Sequence, residues 1–197
     1  MSEAPEILFD EPDHRYTVDG RVRPSVTTIL QDLGFIDFSA VPYAVLERAK
    51  FRGKSIHQAI HYLQENDLDM TTVDEEIKPY LEAFGLFTAD TGWQAERIED
   101  RVFCEPLDYA GTLDGVGSML ALQIPKALID LKSGIETRAA AYQTAAYAIA
   151  IGEPYIPRFS VHLKKTGRYK LVHHKNYNDI QDWKSIAHCY HLKHRED

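Results

Sequence analysis

The sequence predicts an α/β fold with a mixed central β-sheet flanked by helices, preceded by an N-terminal hairpin and a helical segment. Three observations carry that expectation. Apolar residues recur at helical spacing over two long stretches, from Pro42 to Asn66 and from Asp74 to Asp90. Short, glycine-punctuated runs of apolar and β-branched residues follow between Arg101 and Leu131. An Ala-rich helical stretch, Thr137–Ile151, separates those runs from a second hairpin pattern.

Taken in order, ILFD (7–10) and RYTV (15–18) read as strands joined by a turn at EPDH, and Asp19-Gly20 marks a second tight turn. Pro24 precedes a helix in SVTTILQDLG, with Ser25 as its cap and Gly34 as its stop. The next helix has Val45, Leu46, Ala49, Ile56, Ala59, Ile60 and Leu63 on its apolar stripe. The one after it has Ile77, Tyr80, Leu81, Phe84 and Phe87. Strands are expected at Arg101–Cys104, Tyr109–Met119 and Ala127–Leu131, and Gly152 ends the Ala-rich helix. Arg158–Lys164 and Tyr169–His174 form a hairpin around Lys165-Thr166-Gly167, and Asn178–His194 reads as a closing helix. Residues 1–197 are expected to form one domain: hairpin and helices over 1–95, a core over 96–175, and a helix and tail over 176–197.

With 44% hydrophobic and 26% charged residues, the composition is that of a globular protein rather than a disordered one. A chain of this length buries roughly 70% of its unfolded surface and needs no staples. Cys104 and Cys189 are too few for a disulfide framework or a four-cysteine metal site. The acidic start has no apolar signal core, and no apolar run nears the ~20 residues of a membrane helix. A cytoplasmic protein without a membrane partner is therefore expected. The net charge of -8 speaks at first against nucleic acid, because phosphate binding leans on Lys and Arg. Its distribution is uneven, however. Residues 158–197 hold nine Lys+Arg against four acids, a local charge of +5. That segment reads either as a solvated face or as a basic flank for a polyanion.

The densest chemistry lies in GTLDGVG (111–117), ALIDLKSG (127–134) and AAYQTAAYA (140–148). Alternation along a strand puts Asp130 and Lys132 on one face. Beside a core, such a pair is costly unless the two are matched or bound to something. Asp114 converging on Asp130 from a neighbouring strand would need a cation, and hard oxygen ligands favour Mg²⁺ or Mn²⁺ over zinc. Gln143 and Tyr147, four apart, share a helix face that can lie against the same sheet end. Taken alone, D-x-K is a common tripeptide and reads as an ion pair at a strand edge. His57 and His61 are four apart, but no H-E-x-x-H pattern surrounds them, and His61 reads as an ordinary face residue. His173, His174, His188, His191 and His194 read as solvated tail residues. Tyr43, Phe51, Trp93 and Tyr109 read as core aromatics, or as stacking platforms for unpaired bases.

Asp-x(15)-Asp-Leu-Lys, with Gln-x3-Tyr beginning eleven residues after the lysine, resembles the PD-(D/E)XK nuclease superfamily. More narrowly it is similar to the RecB-like exonuclease branch. Arg52, Gly53 and His57 match that branch's R-G-x-x-x-H pattern, and Glu99 matches a glutamate ahead of its G-T-x-D segment. The opening HRYTVDGRVRPSVTTIL resembles phage and bacterial relatives of mitochondrial genome maintenance exonuclease. The resemblance spans roughly residues 9–165. The last forty residues match no motif of the family.

The resemblance implies a restriction-endonuclease-like core and a Mg²⁺- or Mn²⁺-dependent deoxyribonuclease. It implies no iron–sulfur cluster, because the members that hold one use four cysteines. His57, Asp114, Asp130 and the Leu131 carbonyl would hold the metal. Lys132 would position the attacking water, with Gln143 holding the lysine or the water. Tyr147, Arg52 and Lys54 would face the nucleic acid, and Glu99 would contact a DNA end or support the ligands from behind. The expected activity is exonucleolytic, on single-stranded DNA or DNA ends, in phage or bacterial recombination or repair. The alternatives are a structure-specific endonuclease of the same fold and a catalytically silent nucleic-acid-binding module.

Overall fold

Asp19 and Gly20 adopt positive φ (47° and 76°), the backbone of a two-residue hairpin turn, in the computed structural model, which describes residues 5–11, 13–134 and 136–195. Residues 1–4 of the acidic start, Pro12 of the EPDH turn and Glu196-Asp197 of the basic tail lie outside the described residues. The two turns make a three-stranded antiparallel sheet of β1 (Ile7–Asp10), β2 (Arg15–Val18) and β3 (Arg21–Arg23), one strand more than the expected hairpin. Ser25 caps α1 (Val26–Asp32) as expected: its Oγ accepts the Thr28 N–H at 2.9 Å.

Two helices follow, α2 (Tyr43–Gln64) and α3 (Lys78–Thr91). α3 starts four residues later than the periodicity predicts. Asp74 instead closes a turn, its Oδ1 accepting the Glu76 N–H at 2.7 Å. Only the second half of α2 joins the core, through Ile56, Ala59 and Ile60. Tyr43, Val45 and Phe51, in its first half, are 78%, 58% and 73% exposed. Of these only Val45 belongs to the expected apolar stripe, and all three face outward.

The central sheet has the order β4-β5-β6-β7-β8, built from β4 (Trp93–Cys104), β5 (Tyr109–Met119), β6 (Ile124–Lys132), β7 (Arg158–Leu163) and β8 (Tyr169–His173). Every neighbouring pair is antiparallel except β6 and β7, which are parallel and joined through α4 (Ala139–Ala150). A parallel pair needs such a crossover. β4 begins well before the expected Arg101, because polar WQAERIED lies on an edge strand whose outward side meets water.

Helices cover both faces. α1, α4 and α5 (Asn178–Lys193) bury Ile29, Leu30, Ala145 and Trp183 with Val116 and Leu128 of the sheet. The second half of α2 and α3 bury Ile60, Phe84 and Phe87 with Ile129, Leu131 and Val161 on the other side. β6 alternates between these two cores, so Asp130 and Lys132 share the α4 side with Leu128.

Three cations of the basic segment are tied to acids within the fold. Arg158 is 3% exposed and binds Asp179 Oδ2 (3.1 Å) together with the Ala141, His174 and Asn176 carbonyls. Lys170 pairs with Glu136, and Lys193 and His194 pair with Asp32. Nor are the late histidines all solvated. His174 Nε2 meets Ser160 Oγ at 2.7 Å, and His191 Nε2 meets the Leu107 carbonyl at 3.0 Å. Arg158 and Lys193 thereby fasten α5 to β7, α4 and α1.

Candidate metal centre

Two breaks in the ladders open the site. Pairing of β5 with β6 ends at Gly115↔Ile129. Just beyond, the Leu131 N–H donates to the Asp114 side chain (Oδ2, 2.5 Å) rather than to the facing strand. Across the other edge of β5, Ile98 pairs with Gly115 and Asp100 with Leu113, but Glu99 falls out of the ladder opposite Asp114. Its φ of 46° is left-handed, a conformation that costs a residue with a Cβ about 1–2 kcal/mol. The strain turns the Glu99 carboxylate toward Asp114.

α2 brings His57 between them. Its Nδ1 is 3.3 Å from both Glu99 Oε1 and Asp114 Oδ1. One ligand atom from each of the three lies within 4.8 Å of the others. Ligands across an octahedral Mg²⁺ stand about 4.2 Å apart, so one nitrogen and two carboxylate oxygens at this spacing fit a hard divalent cation after a small closure. Burial disfavours a charge on His57, yet Asp114 and Glu99 outweigh it and push its pKa up to about 10. A protonated His57 would supply between these carboxylates the positive charge that a cation would otherwise bring. Glu99 joins this trio directly, whereas the resemblance had given it a supporting part.

Asp130 stands behind Asp114. It is 1% exposed, and burial raises its pKa to about 6, with Asp114 adding to the rise and Lys132 opposing it. Burial also works against ionising Asp114, but His57, Lys132 and the Leu131 N–H hold its carboxyl below the ordinary range. The two carboxylates have divergent proton affinities in one small site. Lys132 Nζ donates to Asp130 Oδ1 at 2.9 Å and to Gln143 Oε1 at 2.8 Å. Gln143 Nε2 in turn donates to the Tyr147 hydroxyl at 3.3 Å. Asp130 Oδ2 lies 2.9 Å from the same ammonium and has no further hydrogen-bond partner among the described residues.

Part of this set faces a cleft of 480 Å³ between the sheet end and the N-terminal meander; His57, Asp130 and Lys132 are not among its lining residues. Lys54, Glu99, Asp114, Gln143 and Tyr147 line it. Arg52 does not: it turns toward α3 and pairs with Glu76 at 3.3 Å. His61 pairs with Glu65. No residue of the basic segment lines the cleft; its cations are Lys54 and Arg101. Of the four aromatics singled out, Trp93 and Tyr109 are core, while Tyr43 and Phe51 are exposed on α2 outside the cleft. The aromatic wall of the cleft is Phe9, His14 and Tyr16; the last two lie in the segment that carries the family resemblance, but no sequence motif assigns any of the three a site role. The one available signal was hairpin register, which makes Phe9 and Tyr16 direct cross-strand partners.

No protein-family model matches the chain, and no curated protein matches it.

Proposed function

We propose that this protein is a divalent-metal phosphodiesterase acting on DNA, a nuclease of the PD-(D/E)XK type with a restriction-endonuclease-like core. The observation that carries this reading is the Lys132 ammonium, held between Asp130 and Gln143 beside the convergent His57, Glu99 and Asp114. Phosphodiester hydrolysis builds negative charge around phosphorus as water attacks and the bond to the leaving oxygen breaks. His57, Glu99 and Asp114 would hold the metal, with Asp130 Oδ2 as a further donor. A bound Mg²⁺ or Mn²⁺ offsets charge on the phosphate and acidifies a coordinated water. Lys132, bonded to the cleft-lining Gln143, would stabilise the phosphoryl oxygens or orient the water. Gln143 fixes the lysine, and Tyr147 fixes Gln143. Lys54 and Arg101 bind the flanking phosphates.

Exonucleolytic action on single strands or ends is the activity the sequence resemblance implies. End-labelled single-stranded, double-stranded and circular single-stranded DNA, digested with Mg²⁺ or Mn²⁺, test the reading together. Linear strands should be degraded, circles spared, and EDTA should stop the reaction. Lys132→Ala and Asp114→Asn should each lower the rate at least about 100-fold. Full activity in either variant would end the assignment, and loss of the circles would replace exonuclease with endonuclease. Among the described residues no helix is long and apolar enough to cross a membrane.

A further inference from the structure

One wall of the cleft has no part in the metal chemistry. The tip of the meander carries Phe9 and His14, and Tyr16 packs behind them. Phe9 and Tyr16 are tilted by 31° to each other, with centroids 4.5 Å apart. The His14 ring stands edge-on to both, at 5.3 Å and 6.0 Å. Tyr16 is buried, and its hydroxyl meets Thr112 Oγ1 at 2.8 Å, two residues from Asp114 on the same strand. The wall is thus fastened to the strand that carries a metal ligand. Phe9 is half-buried and His14 exposed, at a left-handed φ of 48°. Lys54, bridged to Glu11 at 2.9 Å, and Arg101 line the same cleft.

The cleft therefore offers an aromatic corner, two cations and the Glu99 and Asp114 carboxylates side by side. A nucleotide matches that combination: a planar apolar face joined to a phosphate. A volume of 480 Å³ takes one small ligand, not a base pair with both of its backbones.

We infer that Phe9 and His14, backed by Tyr16, stack against an unpaired nucleobase next to the metal centre, so that the N-terminal meander is the element selecting single-stranded DNA. The inference rests on reading the cleft as a DNA site, and the test separates the two. Single-stranded oligonucleotides carrying 2-aminopurine near either end are titrated onto the full chain with Ca²⁺ as the cation. Stacking quenches the fluorescence of one end's label, while the same label within a duplex is not quenched. Phe9→Leu keeps apolar bulk in the meander but loses the flat ring, and His14→Ala changes an exposed residue. Each should raise the dissociation constant roughly 5- to 150-fold and remove the quench, and Phe9→Trp should restore both. An abasic residue in place of the stacked base should weaken binding to wild type by a similar factor and to the variants hardly at all. Equal quenching and affinity in wild type, Phe9→Leu and His14→Ala overturns the inference, as does absence of any quench in wild type. Cleavage of the same strands with Mg²⁺ is read separately. Quenching without cleavage keeps the stacking wall and removes the nuclease reading, and cleavage without quenching does the reverse.

Discussion

Arg158 joins three parts of the fold through one buried guanidinium, and its removal gives a sharp test of how α4, and with it Gln143, is held. Its Nη1 donates to the Ala141 carbonyl on α4 at 2.9 Å, and its Nη2 to Asn176 O at 3.0 Å and Asp179 Oδ2 at 3.1 Å. Both charged side chains are almost fully buried, at 3% and 5% exposure. Breaking such a pair from one side costs about 3–5 kcal/mol, because the remaining charge stays buried without its partner. The two sides differ here. Asp179→Ala leaves the guanidinium with its carbonyl acceptors, so about 3 kcal/mol is expected. Arg158→Met strands Asp179 and also frees the carbonyls of Ala141, His174 and Asn176, so the expected loss is about 5 kcal/mol. For a domain of this size these losses correspond to a fall in Tm of about 6–12 °C and 10–20 °C respectively. The double variant Arg158→Met/Asp179→Leu should be more stable than Arg158→Met alone, since no charge is then left buried. Urea melts at pH 7 with a shared m-value measure all three. Single variants within about 1 kcal/mol of wild type, or a double variant as unstable as the sum of the two, would refute the buried-charge argument.

Burial, with Arg158 beside it, holds His174 down to about 4. The unfolded chain therefore takes up a proton first, and stability is lost as pH falls from 6.5 to 4, by roughly 3 kcal/mol at most; His174→Gln should flatten urea-melt stability over that window. Asp130 has the opposite sign, since a raised carboxyl pKa costs stability as pH rises through about 6. Asp130→Asn should accordingly raise the Tm of the metal-free protein at pH 7, leave it unchanged at pH 4, and abolish cleavage. A Cβ on Gly111 would stand 2.7 Å from the Tyr147 ring, so Gly111→Ala should cost about 1–3 kcal/mol in a thermal melt and lower kcat by displacing Tyr147 from Gln143. Gly85 in α3 has open space where a Cβ would go, and Gly85→Ala should stabilise the protein by up to about 1 kcal/mol without touching activity.

The pairing of Asp130 with Lys132, and of Gln143 with Tyr147, was legible in the chain because each rests on a local period, two for the strand and four for the helix. Element types were legible for the same reason, down to Ser25 as a cap and the turn at Asp19-Gly20. Ranges failed where periodicity and packing part company. The expected stripe of α2 runs past the core's edge at Val45, which is 58% exposed, and polar β4 pairs only because β5 offers it an edge. What the tertiary structure alone decided is which distant residues meet. Glu99 enters the metal trio through a break in strand pairing and a left-handed backbone, neither of which leaves a periodic trace. Arg52 and Lys54, two residues apart on one helix, diverge to opposite sides of α2. Arg158, counted in the sequence as surface charge, became a buried tie, because a charge's partner is chosen by chain crossings rather than by neighbours. The meander carrying Phe9, His14 and Tyr16 could be drawn strand by strand from its turns. Only its docking against β5, through Tyr16 and Thr112, made it a wall of the site.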